Sequence, residues 1–368
     1  MNSITTEQLK ALVALAARAP SGDNTQPWTF SWDGQILTVI FDPTKAHHVL
    51  DAGMSAPKIS LGCITESIAI AASAYELSIH SSFLELEPGK AGAAAQVSFV
   101  KDGRASDPLL DALPKRNTDR RLFQKGLMPG KELTTVWEQF EHRDSVPVHF
   151  VDSIAPDLFE YVTAAENLVS RHPTIFRDTA PWIRFSESEV MRTNDGMPWR
   201  GAGISPFEYP VLRFVRAFPD IFRVVSLSGM RVVYSRKVQQ LLRSSAGLFC
   251  VSVRDQGPFA LVRVGQLAMR LWLRLTQLGY GVQPLTISSL SLYNATIGVL
   301  DENSRKLFGA RYARGEGIVR KAFSIPADST PVWMFRTGRS SALPASWFTR
   351  RKGLESSLKI TTQPWPTI

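Results

Sequence analysis

Cysteine is scarce in this chain of 368 residues: Cys63 and Cys250 are the only two, each inside an apolar stretch. Two isolated thiols build neither a disulfide framework nor a thiolate metal cage, so they read as reduced core residues of a cytoplasmic protein. No apolar run approaches the roughly 20 residues that a membrane helix needs. The N-terminus, MNSITTEQLK, lacks a basic region followed by an apolar one, which argues against secretion. There is no P-loop and no Gly-x-Ser-x-Gly elbow, and GAGISP, which starts like a Gly-x-Gly-x-x-Gly fingerprint, is broken at Pro206. The six histidines are scattered; His47 and His48 are adjacent and diverge, while His80, His142, His149 and His172 stand alone. Zinc and covalent catalysis are therefore not expected.

What is present is an ordinary globular composition, 44% hydrophobic and 20% charged, with a formal net charge of +9. The length suits one large domain or two smaller ones. Basic residues are spread along the whole chain without a block or a basic-aromatic repeat. That pattern favours a small anionic ligand over nucleic acid.

A capping box, Thr5 with Gln8, opens a helix that carries Leu9, Leu12, Val13 and Ala16 inward and stops before Pro20. WTFSWDGQILTVIFD reads as a hairpin turning at Asp33-Gly34. A second helix, apolar nearly all round and so central, is expected from about 59 to 79. QVSFVKDG is a strand, a shorter helix covers about 131 to 141, and VPVHFVD is a strand. Residues 182 to 228 look irregular and rich in aromatics. GLFCVSVRD reads as a buried strand. The helix at about 259 to 278 ends at Gly279, with Arg263, Arg270 and Arg274 on an outward face. PVWMFRTG is the last clear strand, followed by SWFTRRKGLESSLKI. Placing Gly62 over Gly265 superimposes the two long apolar helices, a faint internal repeat.

Three stretches could carry chemistry. In RNTDR, Arg116, Thr118 and Arg120 alternate, a spacing able to aim two guanidinium forks and a hydroxyl at one phosphate. Surface arginines beside a capping Thr118 or Asp119 fit that spacing too. Arg350, Arg351 and Lys352 form a basic run that could equally be solvated. In APSGDNTQPW, Asn24 and Gln26 each donate and accept, which suits a ligand with mixed carbonyl and N–H edges; a turn bonding to its own backbone is the alternative.

Together APSGDNTQPW, RNTDRRLF, LGYGVQPLT and TRRKGLESSL resemble the FMN-dependent nitroreductase superfamily, in its fused-dimer or Acg-like branch. The resemblance implies an α+β fold with antiparallel sheets flanked by helices. It also implies two pseudo-symmetric halves in one chain, here 1–112 and 113–368, and an insertion or lid at about 180–230. It further implies FMN held by Arg116, Asn117, Thr118 and Arg120, with Pro20, Ser21, Asn24 and Gln26 from the other half. Pro284, Leu285 and Thr286 would face the ring, and Arg350 and Arg351 would complete the phosphate site. Asn117 stands where the family usually has a second basic residue. Neither half carries both components, since HRDSVPVHF occupies the place of a second Asn-x-Gln-Pro-Trp loop. One FMN per chain is the expectation.

The function so implied is transfer of hydride from NADH or NADPH through FMN to a flat electron-poor acceptor, a nitroaromatic or a quinone. No catalytic side chain is singled out, since flavin chemistry asks little of side chains. Other readings remain: an FMN-dependent dehydrogenase or oxidase of a biosynthetic intermediate, reductive dehalogenation, oxidative breakdown of the flavin, or a non-catalytic protein that sequesters FMN. The expected partner is a small-molecule substrate, with no nucleic acid and no membrane. The expected state is a monomer acting as a fused dimer.

Overall fold

In the computed structural model, which describes residues 4–86 and 89–361, two mainly antiparallel sheets lie among helices, with a short parallel pair of Ile183–Arg184 and Met197–Pro198 besides. The chain runs through α1 (Thr6–Ala16), β1 (Trp28–Trp32), β2 (Ile36–Phe41), α2 (Ser55–Ser73), β3 (Leu77–Phe83) and β4 (Gly92–Lys101). It continues with α3 (Gly130–Glu138), β5 (Val148–Val151), α4 (Pro156–Glu166), α5 (Glu208–Ala217), α6 (Arg231–Arg243) and β6 (Gly247–Val253). The last part holds α7 (Ala260–Gln277), β7 (Tyr280–Pro284), α8 (Thr286–Thr296), α9 (Glu302–Phe323), β8 (Thr330–Arg339) and β9 (Leu358–Ile360). Several shorter helical turns lie between these elements.

The strand orders are β9-β1-β2-β4-β3 in one sheet and β5-β6-β8-β7 in the other. Without β9, each sheet is four antiparallel strands in the same relative order, with its long helix between the second and third strands. The fold is α+β, with two pseudo-symmetric halves in one chain. What differs is the connection: Asp33–Gln35 closes the β1–β2 hairpin, whereas residues 152–246 separate β5 from β6. The chain's last described strand, β9, pairs in parallel with β1 of the first sheet, Phe30 opposite Leu358.

The halves meet where α2 crosses α7, and the contact is reciprocal. A Cβ on Gly62 would overlap the Val262 carbonyl oxygen, and one on Gly265 would overlap that of Ile59. The same two glycines that align in the sequence therefore touch across the pseudo-dyad. Bare backbone lets the helices approach this closely, and burial runs almost all round α2. Its polar residues cause no orphan groups: Ser60, Thr65 and Ser67 return their hydroxyls to carbonyls four residues back. Asp51 caps its start by accepting from the Ser55 and Ala56 N–H groups.

Three local expectations need correction. The second helix ends at Ser73, not near 79, because Glu76 turns left-handed (φ 60°) and β3 begins at Leu77. Arg270 is no solvated face residue: it donates to Glu66 at 2.7 Å and to Asp107 at 2.9 Å. Periodicity places a side chain on a face but cannot show that another segment covers it. The stretch 182–228 is largely helical in short pieces; Pro210 lies in the first turn of α5, where a missing N–H costs nothing. Four more helices, α4, α6, α8 and α9, lie where no helix was expected from the sequence.

Both cysteines are buried and free, and burial pushes each thiol up to about 12. Alkylation at pH 8 should therefore fail in the native protein and label both thiols once denaturant unfolds it. Mass spectrometry reads the count, and rapid native labelling would contradict the buried placement.

Candidate functional site

The loop after α1 is the most unusual backbone in the chain. Asp23, Asn24 and Gln26 all have φ between 48 and 57°, a region that non-glycine residues seldom occupy. Side-chain bonds over-determine it. Ser21 Oγ accepts from the Gln26 N–H at 3.1 Å. Asn24 Nδ2 donates to the Gly196 and Arg350 carbonyls at 2.8 and 3.0 Å. Gln26 donates to Asn194 O at 2.9 Å and accepts from the Lys352 N–H at 2.9 Å. The two amides thus tie three distant segments together: the loop, the turn after 193, and the C-terminal run.

The end of α1 is ringed by guanidinium groups. Arg351 donates through Nε to Ala17 O at 2.9 Å and through Nη2 to Arg18 O at 3.0 Å. Arg116 Nη2 donates to Arg18 O at 2.7 Å, and its guanidinium stacks 4.6 Å from the Trp272 ring centroid. These bonds answer carbonyls that a helix leaves open at its C-terminus. They do not satisfy Arg116, whose Nε and Nη1 are buried without a partner, as are Arg18 Nε and Asn117 Nδ2. Burial, reinforced by the neighbouring Arg18 charge, pushes the Arg116 pKa down to about 9. Burial followed by the Arg116 and Arg18 charges lowers that of Arg351. Cationic groups crowd here, and among the described residues no carboxylate is bonded to Arg18, Arg116 or Arg351.

Beside this cluster lies a cavity of about 660 Å³, within the size range of cofactor and ligand pockets. Pro20, Ser21, Thr118, Arg120, Pro284, Leu285 and Thr286 line it. Asn24, Gln26, Arg116, Asn117, Arg350 and Arg351 are not on its wall; Arg116 sits behind Trp272, which is. The sequence-derived set therefore divides into a cavity-lining group and a buried group at the end of α1. Arg350 contributes its carbonyl to the amides.

Around Arg120, side chains that the motifs did not flag complete the wall. Arg120 donates to Gly201 O at 3.0 Å and lies in the field of Asp23, Tyr234 and Glu166. Burial raises the Asp23 carboxyl pKa, opposed by His48 and Arg120. Burial likewise raises Glu166, opposed by bonds from the Ser288 N–H and hydroxyl, both 2.8 Å to Oε1. Burial raises the Tyr234 phenol above its ordinary value. Arg336 holds Gln283 Oε1 at 2.6 Å, and Trp182, Trp272 and Trp333 add apolar wall. Glu166 and Tyr234 come from α4 and α6, inside the long insertion, so no short motif could have announced them. Among the described residues no group of His, Cys, Asp and Glu could hold a metal ion.

A cluster of unanswered donors thus lies beside a ligand-sized cavity between two halves. No family model matches the chain. It is similar along most of its length to "Putative NAD(P)H nitroreductase acg" of Mycobacterium tuberculosis, 23% identical over 295 residues, covering 77% of this chain and 81% of that one. Among solved structures, a putative nitroreductase from Anabaena variabilis is similar at 10% identity and TM-score 0.46, covering 91% of this chain and 88% of that one. The FMN-dependent nitroreductase NfnB from Mycobacterium smegmatis, in complex with NADPH, is similar at 15% identity and TM-score 0.35, covering 68% and 96%.

Proposed function

We propose that this chain is an FMN-dependent oxidoreductase that carries electrons from NADH or NADPH to a small planar acceptor. The observation that carries the reading is Arg116, a fully buried guanidinium with two N–H groups unanswered. An unpaired buried donor costs about 1–3 kcal/mol, more when charged, and here the surplus donors come as a group. A phosphate supplies several acceptors and the missing negative charge at once, so the residues present fit the phosphate of FMN. In this reading Arg116, Arg18 and Asn117, which stand behind the wall at Trp272, turn their unanswered donors toward a phosphate held beside Ser21 and Thr118, and Arg351 fixes the carbonyls of Ala17 and Arg18. Thr118, Arg120 and Ser21 lead from there along the cavity wall to Pro284, Leu285 and Thr286, which flank the ring.

When bound, FMN supplies two-electron transfer at its ring system. The chain supplies position and protons. Arg120 orients polar groups between Asp23 and Glu166. Because Glu166 Oε1 accepts both Ser288 bonds, a proton held by this carboxyl sits on Oε2. The apolar wall of Trp182, Trp272 and Trp333 excludes water beside the ring.

The two halves, 1–112 and 113–368, form one such site between them. The place equivalent to the Asn24–Trp28 loop in the second half reads His142-Arg143-Asp144-Ser145, without the paired amides. One FMN per chain follows. The segment at about 180–230 acts as a lid over the ring, since Trp182, Phe207 and Leu212 belong to the cavity wall. Acceptors are nitroaromatics or quinones. No helix among the described residues is long and apolar enough to cross a membrane.

Reconstitution with FMN should give a yellow protein with close to one flavin per chain, and this holoprotein should oxidise NADH or NADPH when a quinone or nitroaromatic is added. Absorbance at the flavin and nicotinamide bands measures both. A stoichiometry near two removes the single-site reading. Bound FMN with neither nicotinamide oxidised replaces the enzyme by a flavin-sequestering protein.

A further inference from the structure

The insertion between β5 and β6 carries a feature that hydride transfer to a bare ring does not use. On α5 and the turns that lead to α6, Phe214, Phe218, Val224 and Leu227 are 54–69% exposed. Contiguous large apolar side chains in water mark a surface with a use. This patch is continuous with the cavity: Phe207, Val211 and Val233 are exposed and also line it.

The cavity consequently has two ends of different chemistry. Ser21, Asp23, Thr118, Arg120 and Glu166 make one end polar. The other reaches the surface between α5 and α6 through side chains that are mostly hydrocarbon. The charged pair there, Glu208 and Lys237, is bridged at 3.0 Å, so neither is left to hold a polar ligand. Gly229, with φ +128° and nothing within 4 Å of its missing Cβ, interrupts the helical path beside this opening. Ser228, Gly229 and Met230 form its rim.

We propose that this end binds an apolar tail, and that the acceptor is a quinone-type planar ring bearing a long hydrocarbon chain. The ring chemistry rests on the oxidoreductase reading above; the tail site rests on the insertion alone. In the net reaction the ring gains two electrons and two protons. One proton arrives with hydride from NAD(P)H and the other from water, and NAD(P)+ and the quinol leave. A docked protein would cover the outer patch but would not require it to run inward. A chain threaded into the cavity uses both parts.

Each methylene taken out of water is expected to contribute about fourfold in affinity, so a tail with several buried methylenes gains on the order of 100-fold. The test compares a dimethoxy-methyl-benzoquinone without a tail and its decyl derivative, on FMN-loaded protein. Steady-state kinetics gives KM and kcat for each, and quenching of the cavity tryptophans gives binding without turnover. The decyl probe should show a KM at least tenfold lower with similar kcat. The exposed double substitution Val211→Asp with Val233→Asp should collapse the ratio of the two KM values. Equal KM values in the wild type, or a variant that shifts both probes alike, would overturn the proposal. If neither quinone is turned over yet quenching still depends on the tail, the oxidoreductase reading falls and the tail site stands. Turnover without any dependence on the tail does the reverse.

Discussion

Gly62→Ala and Gly265→Ala should each destabilise the protein by about 3 kcal/mol, at the upper end of what overpacking costs. The added methyl meets backbone in both cases, the carbonyl of Val262 or of Ile59, and a carbonyl cannot rotate aside as a side-chain tip would. The same chemical change at Gly317 in α9 meets nothing within 4 Å. There alanine should stabilise by up to about 1 kcal/mol, since it favours helix over glycine. Denaturant midpoints of the three variants, taken with constant m-values, measure the contrast. Any relaxation of the crossing must spread α2 from α7. The opening loop belongs to the first half, while Arg120 and Pro284 belong to the second, so the spread would also widen the cavity and weaken FMN. A Gly62→Ala protein as stable as wild type would mean that the helices do not meet backbone to backbone.

That crossing was half legible in the sequence. Aligning Gly62 with Gly265 was possible because both helices are long and apolar, but apolarity alone could not say that the glycines face each other. The opening loop was legible as a special segment, but its two amides serve a different purpose from the one read in the sequence. Asn24 and Gln26 are spent on carbonyls of Asn194, Gly196 and Arg350, contacts across 168 residues or more that no local pattern encodes. Arg270 was misread for a related cause: its two carboxylate partners come from α2 and from the segment after β4. Glu166 and Tyr234 went unnoticed because they lie in α4 and α6, where neither a helix nor a motif was read from the sequence. Local chemistry announces loops, caps and hairpins. Which distant acid or carbonyl meets a given arginine is a property of the packed chain.

Arg116→Met should separate folding from ligand binding. Without an anion, the substitution removes a buried charge that has only one carbonyl, Arg18 O, to answer it, and puts an apolar chain against Trp272. Replacing a poorly compensated buried charge by a well-packed hydrophobe is commonly neutral or stabilising, so the apoprotein should melt at or above the wild-type temperature. With FMN the sign reverses. Two charge-assisted bonds at about 1.5–3 kcal/mol each are lost, and FMN affinity should fall by about 3 kcal/mol or more, over 100-fold. Added FMN would then raise the melting temperature of the wild type and leave the variant nearly unmoved. Arg351→Met makes the counter-case. Arg351 bonds the carbonyls of Ala17 and Arg18, so its loss should already lower the stability of the apoprotein. Calorimetric FMN titrations beside melting curves of both variants distinguish an anion-binding guanidinium from a helix-capping one. Wild-type FMN affinity in Arg116→Met would move the phosphate elsewhere and leave Arg116 as a cap on α1.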